Sequence, residues 1–264
     1  MRLGQYDTIQ TLSEGASGIV YLAVDSHTGF PVAIKVLRQS FHGNSVAVEK
    51  FKEEANKYLY LDHHNIVQLK GFNLNPPYLV MEYIEGLTLD EYVKKNFPTG
   101  IPEKLAIQIM VQIVDAISYS HMQAKPVLHL DLKPANIMIK PNGVIKVIDF
   151  GISRQSDQVN HSMFVGSPYY MSPEQVNNSF VTQLSDIYSL GITMYYLLKA
   201  KVPYDSSLGI EEVFAKKLKG DLIGINTKNF PVNIANTISK ATATNPAYRF
   251  ANCLEFKKAL ISLL

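Results

Sequence analysis

His129-Leu130-Asp131-Leu132-Lys133-Pro134-Ala135-Asn136, followed after a short apolar stretch by Asp149-Phe150-Gly151, is the segment on which the reading of this chain turns. Between the two, Ile137-Met138-Ile139 and Val144-Ile145-Lys146-Val147-Ile148 read as short strands, and Pro141-Asn142-Gly143 supplies the turn residues that join them. An antiparallel pair of this kind is expected to bring its two outer ends, Asn136 and Asp149, close together. Asp131, Asn136 and Asp149 are three oxygen donors set among apolar residues. Oxygens converging there suit Mg²⁺, a hard cation that needs one or two protein oxygens alongside phosphates and water. Asp131, one turn earlier, is placed to take a proton from a hydroxyl nucleophile. A buried loop with structural Asp and Asn caps would explain either motif alone. Both motifs in order, joined by a hairpin, favour the chemical reading.

Working outward, the bounds are those of an enzyme-sized domain. The chain has 264 residues, a net charge of +2 and 47% hydrophobic residues, enough for a sizeable core in one large domain or in two lobes sharing a cleft. The near-neutral balance gives no electrostatic case for nucleic acid or an anionic membrane surface. A single cysteine, Cys253, excludes an internal disulfide and fits a reducing, cytoplasmic setting. It falls in an amphipathic stretch and reads as a small packing residue. No signal-peptide pattern opens the chain, and the longest apolar run, Leu190 to Leu198, contains Gly191 and Thr193 and is too short to span a bilayer. A chain that begins and ends this tightly on structured segments reads as a domain cut from something longer.

Upstream, Tyr6 to Leu12, Ile19 to Val24 and Pro31 to Leu37 read as consecutive strands with tight turns, hence an antiparallel sheet, and Val67 to Phe72 and Tyr78 to Tyr83 add two more. Gly15 and Gly18, in the first turn, allow the backbone to approach a ligand so that amide N–H groups face phosphate oxygens, although an ordinary hairpin would also use them. Lys35 sits on a half-buried strand and needs a partner, because an unpaired buried ammonium is costly. The helix predicted over Val46 to Leu61 supplies one. Glu54 shares the inward face of Phe51 and Tyr58, whereas Glu53 lies between Lys50 and Lys57 on the solvent face. His63 and His64 are adjacent and read as structural rather than as metal ligands. Downstream, Thr88-Leu89-Asp90-Glu91 is a capping-box helix start, and Leu105 to Ala124 is a long helix apolar enough to be the centre of a helical lobe. Residues 152 to 170 are polar and serine-rich, a long loop of the kind that is usually functional. Thr182 caps a helix through Leu198, and Glu211 to Lys219, Ala235 to Ala243 and Leu254 to Leu263 read as further helices.

Taken together, His129-Leu130-Asp131-Leu132-Lys133-Pro134-Ala135-Asn136 and Asp149-Phe150-Gly151 resemble the catalytic loop and metal-binding segment of the protein kinase family. Leu12 to Val20 resembles its glycine-rich loop, with Ser13 where the first glycine usually sits, and Val32-Ala33-Ile34-Lys35 resembles its lysine strand. Gly166-Ser167-Pro168 through Ser172-Pro173-Glu174 resembles the A-P-E segment, with Ser172 for Ala. The resemblance runs from Leu12 to about Phe250. It implies an α+β, bilobal fold: a five-stranded antiparallel N-lobe with one regulatory helix over about 1–83, a connection over about 82–86, and a mainly α-helical C-lobe over 87–264, with ATP between the lobes. It further implies that Leu12, Gly15, Ala16, Ser17, Gly18 and Lys35 serve the nucleotide, with Glu54 positioning Lys35. The Glu82 carbonyl and Ile84 N–H would meet the adenine edge, Met81 would act as gatekeeper, and Val20, Ala33 and Met138 would sandwich the ring. Asn136 and Asp149 would hold Mg²⁺, Asp131 would deprotonate the acceptor hydroxyl, and Lys133 would neutralise charge on the γ-phosphate. Among structural residues, Ser167 would offer its hydroxyl to Asp131 and Lys133, Arg249 would pair with Glu174, and Asp186 would hold the catalytic-loop backbone, although the sequence equally permits Asp186 as a helix cap.

The activity implied is Mg²⁺- and ATP-dependent phosphorylation of Ser or Thr on protein substrates, Lys133 within Asp-Leu-Lys-Pro-Ala-Asn being the serine/threonine pattern. The Ser-Pro-Glu-Gln at 172–175 is common in bacterial members and occurs in some eukaryotic ones. Two other readings stand beside it: a pseudokinase acting as a scaffold, against which every ionic and metal position is filled, and a kinase-like small-molecule phosphotransferase, which usually lacks Lys133, Ser-Pro-Glu, Asp186 and Arg249 together. Tyr196 aligns where basophilic kinases often carry an acidic residue, so an arginine-directed pocket lacks support there. The main departure is Leu130, where many kinases place an Arg that pairs with a phosphate on the activation loop. A phosphate on Ser153, Ser156, Ser162 or Ser167 would lose that partner, and Arg154 lies on the loop itself. The expectation is a non-RD enzyme competent without loop phosphorylation, or gated by a partner or a second copy acting on the Glu54 helix.

Overall fold

The computed structural model describes residues 1–15, 18–150, 167–205 and 207–264. They divide into two compact units, Met1–Glu85 and Gly86–Leu264.

The first unit is an antiparallel sheet carrying one helix. Its strands are β1 (Arg2–Leu3), β2 (Tyr6–Glu14), β3 (Gly18–Asp25), β4 (Pro31–Leu37), β5 (Leu69–Leu74) and β6 (Pro77–Glu82), in the order β1-β2-β3-β4-β6-β5. The sheet therefore has six strands where the sequence suggests five. The extra one is only two residues long, too short for any alternation to show, and it pairs Arg2 with Asp7 and Leu3 with Tyr6. Strand alternation gives the sheet two apolar faces. One gathers Leu3, Ala23, Val32, Ile34, Tyr78 and Val80. The other sets Leu37 and Leu79 against Phe51 and Ala55 of α1 (Ser45–Tyr58), whose N-terminus is capped by the Asn44 side chain accepting from the Ala47 N–H. Register puts Val20 opposite Lys35, Lys35 opposite Leu79 and Ala33 opposite Met81, so all these residues point to the α1 face.

The second unit begins with β7 (Leu87–Thr88) and α2 (Leu89–Asn96), where Thr88 and Glu91 close a capping box. Then come α3 (Glu103–His121), β8 (Ile137–Ile139) and β9 (Ile145–Val147), the three strands pairing as β7-β8-β9. They are followed by α4 (Pro173–Val176), α5 (Gln183–Lys199), α6 (Ile210–Lys219), α7 (Val232–Ala241) and α8 (Cys253–Ile261). α5 is buried from Ser185 to Leu198, more than a single amphipathic stripe, because α3 and α7 both pack on it. α3 also packs on α8. Among the described residues no helix is long and apolar enough to cross a membrane, and no buried side-chain nitrogen or oxygen is left without a partner.

Candidate active site

The short sheet of the second unit sets the geometry. Ile137 pairs with Val147 and Ile139 with Ile145, and the Ile148 N–H donates to the Asn136 carbonyl at 3.0 Å. Asn136 therefore faces Ile148, one residue short of Asp149. The Asn136 amide spends its nitrogen on Asp131, donating to the backbone carbonyl at 2.9 Å and to Oδ2 at 2.9 Å. Its own Oδ1 is thus the end turned toward other partners. Lys133 Nζ lies 2.8 Å from Asp131 Oδ2. The remaining carboxylate oxygen, Oδ1, accepts from the Ser167 backbone N–H at 3.3 Å. Ser167 thus reaches Asp131 through its main chain rather than through the hydroxyl suggested by the resemblance.

Leu130 and Asp149 both sit in the left-handed region, with φ of 62° and 58°. For non-glycine residues this conformation persists only where the surroundings over-determine it. At Leu130 they do. Its N–H donates to Asp186 Oδ1 at 2.7 Å, its carbonyl accepts from Gln175 Nε2 at 2.8 Å, and its side chain is buried. Asp186 Oδ2 takes the His129 N–H at 2.9 Å and His121 Nε2 at 2.8 Å. Asp186 is completely buried. Burial works to raise its carboxyl, but the hydrogen bond and charge of His121 and the donation from the His129 backbone outweigh it, and the group falls below its ordinary value. Thr182, not Asp186, caps α5, its hydroxyl accepting from the Leu184 N–H. Of the two readings open for Asp186, the contacts select the loop-holding one.

A second tie runs from α4 to the segment before α8. Arg249 places Nη1 2.7 Å from Glu174 Oε1 and Nη2 2.8 Å from Oε2, and its other N–H groups go to the carbonyls of Ala243, Leu184 and Thr244. Ser185 Oγ adds a bond to Glu174 Oε1 at 2.6 Å. Burial pushes the Glu174 carboxyl up, yet the Arg249 bonds and charge hold it below the ordinary carboxylate range.

In the first unit, Lys35 Nζ lies 2.7 Å from Glu54 Oε1, both side chains being largely buried. Glu53 is half-buried on the neighbouring stripe of α1. Gly18 is required by packing, since a Cβ there would fall 2.7 Å from the Val36 carbonyl oxygen; at Gly15 a Cβ would have room. Ala16 and Ser17 lie outside the described residues, as do Gly151, Ser153, Arg154, Ser156 and Ser162. Met81 and Ile84 are buried, Val20, Ala33 and Glu82 half-buried, and Leu12 exposed. Glu82 is tied to Gln68 twice, its N–H donating to the Gln68 carbonyl and its carboxylate accepting from the Gln68 N–H. Met138 stands half-buried on β8, opposite Thr88 and Lys146. Among the described residues no group of three His, Cys, Asp or Glu gathers to hold a metal. The donor pair Asn136 and Asp149, one amide oxygen and one carboxylate, fits the sparse protein shell that Mg²⁺ accepts.

Sequence reasoning passed over His121, Gln175 and Lys217. His121 closes an apolar helix and carries no local sign of its contact with Asp186, 65 residues away. Gln175 stands beside the more conspicuous Glu174. Lys217 is masked by its charged neighbours Lys216 and Lys219, although its spacing from Val213 places it on the inward face of α6, and those two are the buried residues of that helix.

Comparison with known proteins accords with this geometry. The model of the family described as "Protein kinase domain" matches residues 6–256. The chain is 37% identical over 254 residues to the serine/threonine-protein kinase PrkC of Bacillus subtilis, which covers 94% of this chain and 38% of that protein. It is 34% identical over 260 residues to the probable serine/threonine-protein kinase PknB of Lactococcus lactis, covering 95% of this chain and 40% of the relative. To the serine/threonine-protein kinase PknB of Mycolicibacterium smegmatis it is 32% identical over 270 residues, with 97% and 42% covered. The chain thus spans about two fifths of the length of these relatives. With a family model matched over nearly its whole length, the chain belongs to the protein kinase domain family.

Proposed function

We propose that this chain transfers the γ-phosphoryl group of ATP to Ser or Thr hydroxyls of protein substrates, with Mg²⁺ bound by Asn136 and Asp149. The observation that carries the reading is the polarised Asp131 carboxylate. Asn136 and Lys133 occupy Oδ2, while Oδ1 carries one backbone donor and keeps a lone pair for an acceptor hydroxyl. Proton transfer from that hydroxyl to Oδ1 leaves the oxygen nucleophilic as it attacks the γ-phosphorus, whose bond to the bridging oxygen breaks so that ADP leaves. The Lys133 ammonium, beside Asp131, offsets negative charge on the group in transfer. Lys35, fixed by Glu54, serves as the cation for the nucleotide phosphates. Bound Mg²⁺ supplies charge neutralisation and phosphate orientation. Lys133 and the names of the relatives favour Ser and Thr as acceptors over Tyr.

The test is to supply the protein with Mg²⁺, γ-labelled ATP and casein, and to identify the labelled amino acid. Label on Ser or Thr is expected. Asp131→Asn should lower kcat by about 10²–10⁴-fold and leave ATP affinity within about twofold, because the base acts on the acceptor. Undiminished turnover in Asp131→Asn would sink the assignment.

A further inference from the structure

Among the described residues Lys217 is the most deeply buried charged side chain that the chemistry above does not use, with only 1% of its surface exposed. Its Nζ donates to the Met171 carbonyl at 2.5 Å and to the Tyr169 carbonyl at 3.1 Å. The ammonium also lies over two rings, 5.0 Å from the Tyr188 centroid and 5.1 Å from that of Tyr204, whose hydroxyls bond each other at 3.2 Å. Among the described residues no carboxylate stands within ion-pair range of it. Glu174, the nearest source of opposing charge, is committed to Arg249. A buried cation without a counter-ion is costly, and an aliphatic residue at 217 would fill the same space. What the aliphatic residue would not do is satisfy two carbonyls of one short segment.

That segment leads to the site. Ser167 donates its N–H to Asp131 Oδ1, its carbonyl accepts the Tyr170 N–H at 3.0 Å, and the Tyr170 carbonyl accepts from Ser189 Oγ at 2.8 Å. The carbonyls of Tyr169, Tyr170 and Met171 are therefore all gripped from the helical core, two of them by Lys217. We propose that Lys217 is a positioning residue for the phosphoryl acceptor: by clamping Tyr169 and Met171 it sets the backbone that lines Asp131 Oδ1, where the substrate hydroxyl must approach. The inference rests on the phosphotransfer reading and deepens it.

A titration accompanies the clamp. Burial takes the Lys217 amine down to about 7, with Glu174 opposing the fall. The other ionisable groups packed around it are the Tyr188 and Tyr204 hydroxyls, both raised chiefly by burial, and Arg249, whose guanidinium carbon lies 5.1 Å from the Tyr188 ring centroid. Lys217 is thus the member of the cluster that changes charge near neutrality. A neutral amine still donates, but more weakly, and loses its attraction to the two ring faces.

The experiment compares the wild type with Lys217→Met. Backbone hydrogen exchange across residues 167–172, read by mass spectrometry, should accelerate about tenfold in the variant, as expected for losing hydrogen bonds to a charged donor. In steady-state assays the KM for casein should rise about tenfold while that for ATP stays within about twofold. Casein KM in the wild type should climb as pH passes through about 7 and stay flat in the variant. Unchanged exchange, an unchanged casein KM, or equal rises in both KM values would each overturn the proposal. If Lys217→Met does not fold, Lys217→Gln takes its place and the same exchange and KM readings decide. If the wild type moves no phosphate to casein or to itself, the phosphotransfer reading fails and the acceptor role with it; the exchange measurement reports the clamp separately.

Discussion

Asp186 shows how much one buried carboxylate carries. It accepts two consecutive backbone N–H groups, from His129 and Leu130, and the ring nitrogen of His121. Asp186→Asn keeps the volume but turns one acceptor into a donor facing donors. Leaving such a group unpaired costs about 1–3 kcal/mol. The melting temperature should fall accordingly, and turnover should fall with it, because the Leu130 N–H contact to Asp186 is one of the constraints on its left-handed conformation beside Asp131. The pH dependence has a definite sign. A carboxyl whose folded-state value is depressed binds fewer protons folded than unfolded, so its stabilisation is present above the ordinary carboxylate value of about 4 and is lost as pH falls through the folded-state value. Glu174 acts in the same direction. Thermal scans of the wild type should show a stability decline on acidification that is shallower in Asp186→Asn; parallel declines would assign the acid sensitivity elsewhere. The sequence revealed Asp186 but left its role open, because a first-turn Asp looks the same whether it caps its own helix or reaches across the fold. Gln175 and Lys217 were hidden for a related reason. Their partners are backbone carbonyls, which carry no residue identity for a sequence to display.

At the scale of elements, α1 is the clearest case of pattern determining place. Phe51, Ala55 and Tyr58 recur at helical spacing, all three are buried, and Glu54 falls between them on the inward stripe. The distinction between Glu53 and Glu54 was legible because a helix has a period and Lys35 on β4 needs a carboxylate. The strands were legible wherever alternation ran for several residues. They were not at Arg2–Leu3 and Leu87–Thr88, where two residues offer no period, and the helix at Pro173–Val176 escaped because its single turn is set by the Ser172 capping box rather than by an apolar stripe. The ion pair gives a test that separates chemistry from folding. Lys35→Met removes the cation and leaves the Glu54 carboxylate, buried on the same stripe as Phe51 and Ala55, without its ion-pair partner. Measured well below the melting temperature, turnover should drop by at least about two orders of magnitude if Lys35 serves the phosphates, while the melting temperature falls because the buried Glu54 carboxylate loses its partner. Glu54→Gln should give a smaller loss of turnover, since an amide still accepts a hydrogen bond from Lys35. A Glu54→Gln rate equal to that of the wild type would show that this glutamate does not position the lysine.

For the whole molecule the open matter is what orders the segment beside Asp131. Leu130 offers neither charge nor donor to a phosphate, and its side chain is packed inside the second unit. The segment from Ser167 to Gln175 is instead tied down by groups native to the chain. Ser167 donates to Asp131, Lys217 holds Tyr169 and Met171, Gln175 reaches the Leu130 carbonyl, and Glu174 is forked to Arg249. Removing one partner of the buried Glu174–Arg249 pair would strand the other charge at a cost of about 3–5 kcal/mol, so the segment stays tied while both are present. The expectation that follows is that Asp131 is placed without phosphorylation of the loop. The prediction is that protein dephosphorylated to completion, verified by mass spectrometry, retains its initial rate within about threefold, measured before autophosphorylation recurs. Arg249→Lys, which cannot make the forked contact, should in contrast lose both rate and stability whatever the phosphorylation state. A large loss of rate on dephosphorylation, restored by rephosphorylation and abolished by Ser→Ala at Ser153, Ser156, Ser162 or Ser167, would show that a phosphate rather than this internal lattice of bonds sets the acceptor side of the site.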